Sequence, residues 1–464
     1  MSCAPLCVPL SSAGRSLLTF VITLVAALLS SSPSHAQETL TVALYPYVPR
    51  VDQFEGAIRQ SWQQVQPTVG LNFIKDDKVW DGGYKKDPPA EADVYVFDVM
   101  YLEQFRTNGL LGAMAPSEVQ NADDFLAYAR DAVVVNGNYY AIPQLGCANI
   151  LFYNVNDTPL ANATTLTQVQ SALHQCTYTS EIPPGRRGLM LDMAGSTTNA
   201  TLYLDAAHSA NGQYPLPQPT TPDPSYIAYE KTILTLSSFL DTTSENPDAY
   251  VRGVWYSHGY GRAIVGFTET MSHMTATALQ TIGFKVMPLS DTTSNPPLFY
   301  VDAVGVNTSA ARRGKRDLAV QLANVIGASN TMVASMQAPQ PDKNPQYLMS
   351  VRNSVFQRLS ADYSIYARMY QLAQSSKPIA FKLDKDARSW ALAKGDIIRS
   401  QVRQNYACGC DRTATRTIAD NVDAQSVCPA VCKDHGGWNG QWTNDPPAPG
   451  SVCGCNKCPI PPPD

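Results

Sequence analysis

The stretch Ala132-Val133-Val134-Val135-Asn136-Gly137-Asn138-Tyr139-Tyr140-Ala141-Ile142-Pro143-Gln144-Leu145-Gly146-Cys147-Ala148-Asn149-Ile150-Leu151-Phe152-Tyr153-Asn154 decides how the chain is read. Asn136-Gly137 is flanked by apolar runs. Both residues tolerate positive φ, so the step predicts a tight hairpin. The chain leaves that hairpin through Pro143 and presents Cys147 before a second apolar run, Ile150 to Tyr153. A thiol at such a crossing is either a small buried hydrophobe or a nucleophile.

The 464 residues are enough for two or three domains. A 44% hydrophobic, 16% charged composition is that of a globular chain, and a net charge of −5 offers no basic footprint for nucleic acid. Tyrosine (23) outnumbers phenylalanine (13) and tryptophan (6) together, which suits flat, polar aromatic or sugar ligands. Residues 1–36 read as a signal peptide. Arg15 is its positive end, Leu17 to Leu29 its apolar run, and Ser34-His35-Ala36 a small-x-small cleavage site before Gln37. The run is too short for a membrane span. The expectation is a protein exported to the periplasm or secreted, without stable membrane association. Cys3 and Cys7 leave with the peptide. Nine cysteines then remain where pairing is the default. An odd count leaves one thiol over. Either Cys147 or Cys176 could be that one.

Outward from the hairpin, Leu40 to Leu44, Leu71 to Ile74 and Ala92 to Asp98 read as strands. Phe54, Ile58, Trp62 and Val65 form a helical stripe between the first two, and a further helix is expected over Tyr101 to Asn108. This rhythm predicts an α/β lobe with a mostly parallel sheet. Beyond the hairpin, strands are expected at Leu189–Asp192, Gly261–Phe267, Phe284–Pro288 and Pro297–Val306, the last returning to the first lobe. Helices are expected at Thr201–His208, Ser225–Leu240, Asp317–Ile326, Val351–Leu372 and Arg388–Val402. From Cys408 on, seven cysteines fall among proline- and glycine-rich loops. That predicts a small disulfide-stapled module over 404–464, with zinc at Cys453-x-Cys455-x2-Cys458 as the rival reading.

Two α/β lobes joined by crossing strands, with Ala-Ile-Pro and then Leu-Phe-Tyr-Asn at the crossing, resemble the extracellular solute-binding proteins. The implied fold is a two-lobed type II periplasmic-binding-protein-like α/β architecture with a hinge cleft over 37–403. Ligands of open α/β sheets bind outside the carboxyl ends of the strands, which points to Tyr45, Tyr47, Asp98, Glu269 and Asp302. Within that architecture Gln144-Leu145-Gly146-Cys147, Gly266-Phe267-Thr268-Glu269-Thr270-Met271-Ser272 and Tyr300-Val301-Asp302 resemble the thiaminase I family. The resemblance implies a transferase that cleaves thiamine and passes its pyrimidine to an amine, pyridine or thiol. It implies Cys147 as nucleophile and Glu269 as base, and neither cofactor nor metal. Asp98 and Asp302 would hydrogen-bond the pyrimidine, and Tyr45, Tyr47, Tyr250 and Tyr300 would stack on the rings. His273, four residues beyond Glu269, stands as a second candidate base. The other reading is a solute-binding protein for thiamine or a sugar, with no chemistry.

The tail segments Ile418 to Gln425, Cys428-Pro429, His435 to Thr443 and Ser451-Val452-Cys453 resemble the microbial mannan-binding lectin repeat. That implies mannose-type glycans as partners, with Trp438 and Trp442 as stacking faces. The alternative for both tryptophans is the module's own core.

Overall fold

The computed structural model describes residues 38–173, 177–178, 188–193, 195–241, 251–259, 261–403, 407–444 and 450–459. The signal-peptide reading, Cys176 and Tyr250 therefore lie outside the described residues.

The chain opens with β1 (Thr39–Ala43), a helix Val51–Val65, β2 (Gly70–Ile74) and β3 (Val94–Asp98). The helix buries Phe54, Ala57, Ile58 and Trp62, one stripe at helical spacing. Val65 was expected on that stripe. It is exposed instead, because the helix ends at its last turn. All five residues of β3 are buried, as expected for a central strand covered on both faces. The hairpin forms as read: β4 (Val134–Val135) pairs antiparallel with β5 (Asn138–Tyr139). Asn136 (φ 51°) and Gly137 (φ 80°) supply the two positive φ values of its turn.

The chain then runs through β6 (Ile142–Cys147) and, three residues on, β7 (Ile150–Asn154). These two strands belong to different sheets, so Cys147 ends the last strand before the first lobe crossing. The second lobe adds β8 (Thr177–Tyr178), β9 (Leu189–Asp192), helices Ser196–Asn211 and Pro224–Leu236, β10 (Ser237–Asp241), β11 (Ala263–Gly266) and β12 (Ile282–Val286). The helix expected to reach Leu240 stops at Leu236, and the following residues are β10. Second-lobe strands run β10-β9-β11-β7-β12.

β13 (Leu298–Val306) returns to the first lobe and inserts between β3 and β6, antiparallel to both. The first sheet is therefore mixed rather than mostly parallel. Its path is β14-β6-β13-β3-β1-β2, with β14 (Met349–Ser350) on the edge and β15 (Ile379–Ala380) beside β13. The helix expected over 351–372 is two, Asn353–Asp362 and Ser364–Ser375, broken at Tyr363, whose backbone is extended.

Helix Ala387–Arg403 leads to the tail. There β16 (Ala407–Thr413), β17 (Trp438–Thr443) and β18 (Val452–Pro459) form a sheet beside helix Asn421–Val431. Disulfides Cys428–Cys453 and Cys432–Cys455 tie the helix to β18. Cys453 and Cys455 are thus spent as disulfides, which removes them as the thiolates a zinc site would need. The tail sheet is not isolated: β8 of the second lobe pairs parallel with β16. Among the described residues no helix is long and apolar enough to cross a membrane.

Candidate active site

Sheet register builds the site. β3 and β6 end side by side where β13 begins its return. Tyr300 lies opposite Cys147, and Asp302 lies opposite Asp98 and beside Leu145. Directly opposed residues of an antiparallel pair share a face, with Cβ atoms about 5 Å apart. The thiol, one tyrosine and two carboxyls therefore stand together at the strand ends beside the crossing. Cys147 is the free cysteine among the described residues, and it is half-buried.

Asp98 accepts from the Met100 amide (3.0 Å) and from the Tyr84 hydroxyl (3.1 Å). It thus caps the short turn Val99–Tyr101 while lying opposite Asp302. Burial lifts its carboxyl to about 6 despite those two bonds. Asp302 is pushed well above the usual carboxylate range by burial, then by Asp98 and Glu269. Asp98 is buried and Asp302 half-buried, and two carboxyls opposed in this way cannot both ionise cheaply.

Glu269 comes from the other lobe. β11 ends at Gly266, and the short 3-10 turn Thr268–His273 carries the glutamate inward, buried. Burial raises its carboxyl to about 7. His273 is exposed on the same turn. A 3-10 turn repeats every three residues, so positions four apart do not share a face as they would on an α-helix. The charged groups that bear on Cys147 are Asp302, Glu269 and Asp98. With burial they push the thiol well above its usual value. Glu269 is among them.

Aromatic rings complete the setting. Tyr45 packs edge-on to Tyr47 (5.4 Å), and Tyr47 to Tyr84 (5.9 Å). The Tyr45 and Tyr84 hydroxyls are 3.1 Å apart. Burial, Asp302 and Asp98 raise the Tyr45 hydroxyl well above its ordinary value, which keeps it a neutral donor. Tyr47 is exposed. Tyr300 stacks on Phe381 (4.6 Å) and meets Phe267 of the second lobe edge-on (6.3 Å).

Two residues escaped the sequence reading. Tyr84 links Tyr45 to Asp98, and the signal was the Gly82-Gly83 step before it, with φ of +78° and +107°. Asp205 is buried in helix Ser196–Asn211, accepts from the Asn149 side-chain amide (2.8 Å), is raised to about 7 by burial, and acts on Tyr300. Its signal was a lone carboxylate within Leu202-Tyr203-Leu204-Asp205-Ala206-Ala207.

In the tail, Trp438 and Trp442 are half-buried against the core, opposite Cys455 and Cys453 of β18. The Trp442 indole donates to the Asn421 side chain (2.8 Å). Part of each ring is thus structural.

The arrangement can be set beside known proteins. The Thiaminase-1 domain family matches residues 148–290, and the Mannan-binding protein family matches residues 421–455. The chain is 33% identical over 384 residues to Thiaminase-1 of Paenibacillus thiaminolyticus, covering 81% of this chain and 90% of that one. Clostridium botulinum thiaminase I in complex with thiamin superposes with a TM-score of 0.74 at 34% identity, over 79% of this chain and 100% of that one. Maltose-bound MalE3 of T. maritima shares the fold alone, with a TM-score of 0.57 at 12% identity over 79% and 95% of the two chains. The chain belongs to the thiaminase-1 family.

Proposed function

We propose that this chain degrades thiamine by transferring its pyrimidinylmethyl group to a base, with Cys147 as nucleophile and Glu269 as general base. One observation carries this reading: a free thiol shares a face with Tyr300 beside two opposed carboxyls, Asp98 and Asp302, at the crossing of a binding-protein fold. A protein that only binds its solute has no need of a thiol there.

The electrostatics fit a cationic substrate. Burial, and then the acids Asp302, Glu269 and Asp98, push the Cys147 thiol well above its usual value. Thiamine brings a thiazolium cation, which favours loss of the thiol proton to Glu269. The thiolate sulfur then bonds to the electron-poor pyrimidine ring. The methylene C–N bond breaks, and its electron pair leaves with a neutral thiazole. Glu269 passes the thiol's proton to solvent; an amine, pyridine or thiol, deprotonated where needed by the freed Glu269, then adds at the methylene carbon, and Cys147 departs as thiolate. One ionised and one protonated carboxyl in the Asp98–Asp302 pair would offer one acceptor and one donor to the amino group and ring nitrogens. Tyr45, Tyr47 and Tyr300 supply ring faces. Asp205 adds negative charge on the second-lobe side.

Residues 1–36 serve export, which accords with two disulfides in the tail. The tail binds mannose-type glycans through the open parts of Trp438 and Trp442. Incubation with thiamine and pyridine or aniline tests the central reading. Loss of thiamine with formation of the pyrimidinylmethyl adduct is expected. Reversible thiamine binding without loss would favour a solute-binding protein.

A further inference from the structure

Tyr84 reaches Asp98 and Tyr45 from a first-lobe loop, residues 81–87. The loop bends at Gly82 and Gly83, where added Cβ atoms would sit 2.5 Å from the Tyr45 ring and 2.9 Å from Phe105. Its own lobe holds its beginning: the Asp98 amide donates to the Gly82 carbonyl (3.1 Å), and Asp81 accepts from the amides of Gly83 and Lys85. The Lys86 ammonium ties the loop's far end to the Asp77 and Lys78 carbonyls of the same lobe, and one side chain from outside this stretch bridges Gly83, Lys86 and Asp87. Arg388 donates from Nε to the Gly83 carbonyl (2.8 Å) and from its two terminal nitrogens to the Asp87 carboxylate (2.7 Å) and the Lys86 carbonyl (2.7 Å). Its guanidinium lies over Phe105 (5.4 Å), and its amide donates to Gln104 (3.1 Å).

Arg388 is in the first turn of helix Ala387–Arg403, and the body of that helix is fixed to the second lobe. The Trp390 indole donates to the Pro219 carbonyl (2.9 Å). Gly395 lies so close to the start of helix Ser196–Asn211 that a Cβ would come within 2.5 Å of the Ser196 carbonyl oxygen, and Asp396 accepts from the Ser196 hydroxyl. We propose that Arg388 is a positioning residue for the transfer reaction: from a second-lobe helix it fixes residues 81–87 of the first lobe, and so holds the Tyr84 hydroxyl between Tyr45 and Asp98. The inference rests on the reading of this cleft as the site of thiamine transfer. Three donors in a planar fork reach two carbonyls and a carboxylate at once. A lysine ammonium at the end of a flexible stem does not reproduce that geometry.

The test is a double-mutant cycle on thiamine consumption with Arg388→Ala, Tyr84→Phe and the pair, alongside Arg388→Lys and thermal melts. Arg388→Ala should lower kcat/KM by about 10- to 100-fold, the cost of a misplaced site group. Arg388→Lys should recover only part of it. If Arg388 acts through Tyr84, the double variant is no worse than the poorer single variant. Both single variants should also move the pH–rate profile the same way, because losing the Tyr84 bond lets Asp98 titrate higher. Additive losses, or a normal pH profile with activity lost in step with melting temperature, overturn the proposal. Should Arg388→Ala fail to fold, Arg388→Lys completes the same cycle. A wild-type chain that leaves thiamine intact overturns the reading of the cleft itself, a separate result.

Discussion

Cys147 sits where a thiolate is disfavoured, because burial and three acids all oppose ionisation. Under the proposed mechanism its activation arrives with the substrate cation and with Glu269, whose carboxyl burial raises to about 7. Replacing Cys147 with serine should lower transfer by about 10³-fold or more, measured as thiamine loss in the presence of an acceptor. Glu269→Gln should cost about 10²–10⁴-fold. In the wild type kcat/KM should rise with pH through about 7 as Glu269 ionises, and that limb should vanish in the variant. The same substitution should stabilise the fold. Burial raises the Glu269 carboxyl from 4.5 to about 7, so the stability it lends at low pH is fully present below about 4.5 and lost as pH rises through 7. At about 1.4 kcal/mol per pH unit, the amide should gain up to about 3 kcal/mol at pH 8, seen as a higher melting temperature than wild type. The thiol and the glutamate were legible as residue types in distinctive local sequences. Their mutual charge balance was not, since it depends on strands 122 positions apart (269 − 147) meeting across two lobes.

Strand β6 carries a second constraint. A Cβ on Gly146 would lie 2.1 Å from the Tyr128 hydroxyl, on the opposite face from Cys147. Among the described residues that hydroxyl is buried with no hydrogen-bond partner. Gly146→Ala should therefore destabilise by about 1–3 kcal/mol and displace the neighbouring thiol. Tyr128→Phe alone should be nearly neutral by chemical denaturation, and the double variant should regain stability over Gly146→Ala. At this scale the sequence was legible wherever a local pattern decides the structure. The Asn136-Gly137 hairpin, β3 and helix Ala387–Arg403 formed where periodicity and turn chemistry put them. The break at Tyr363 and the switch from helix to β10 at Ser237 were not legible, because tertiary pairing overrode local propensity.

Across the whole molecule, two lobes and a stapled tail were readable from strand rhythm and cysteine clustering. The pairing of β8 with β16 was not, since a two-residue strand joined to one more than 200 residues away carries no local signal. The tail is therefore attached to the second lobe by sheet pairing as well as by the chain. Truncation after Arg403 should abolish retention on immobilised mannan and leave thiamine transfer within about threefold of the full chain. Retention by the single tail copy should be weak. Covalent chemistry at the cleft between the lobes is read out by intact-protein mass spectrometry after mixing with thiamine in the absence of an acceptor. One added pyrimidinylmethyl group is expected, mapped by peptide digestion to Cys147, absent from Cys147→Ser and discharged by pyridine. Thiamine consumption with the adduct on another residue, or undiminished in Cys147→Ser, would contradict it.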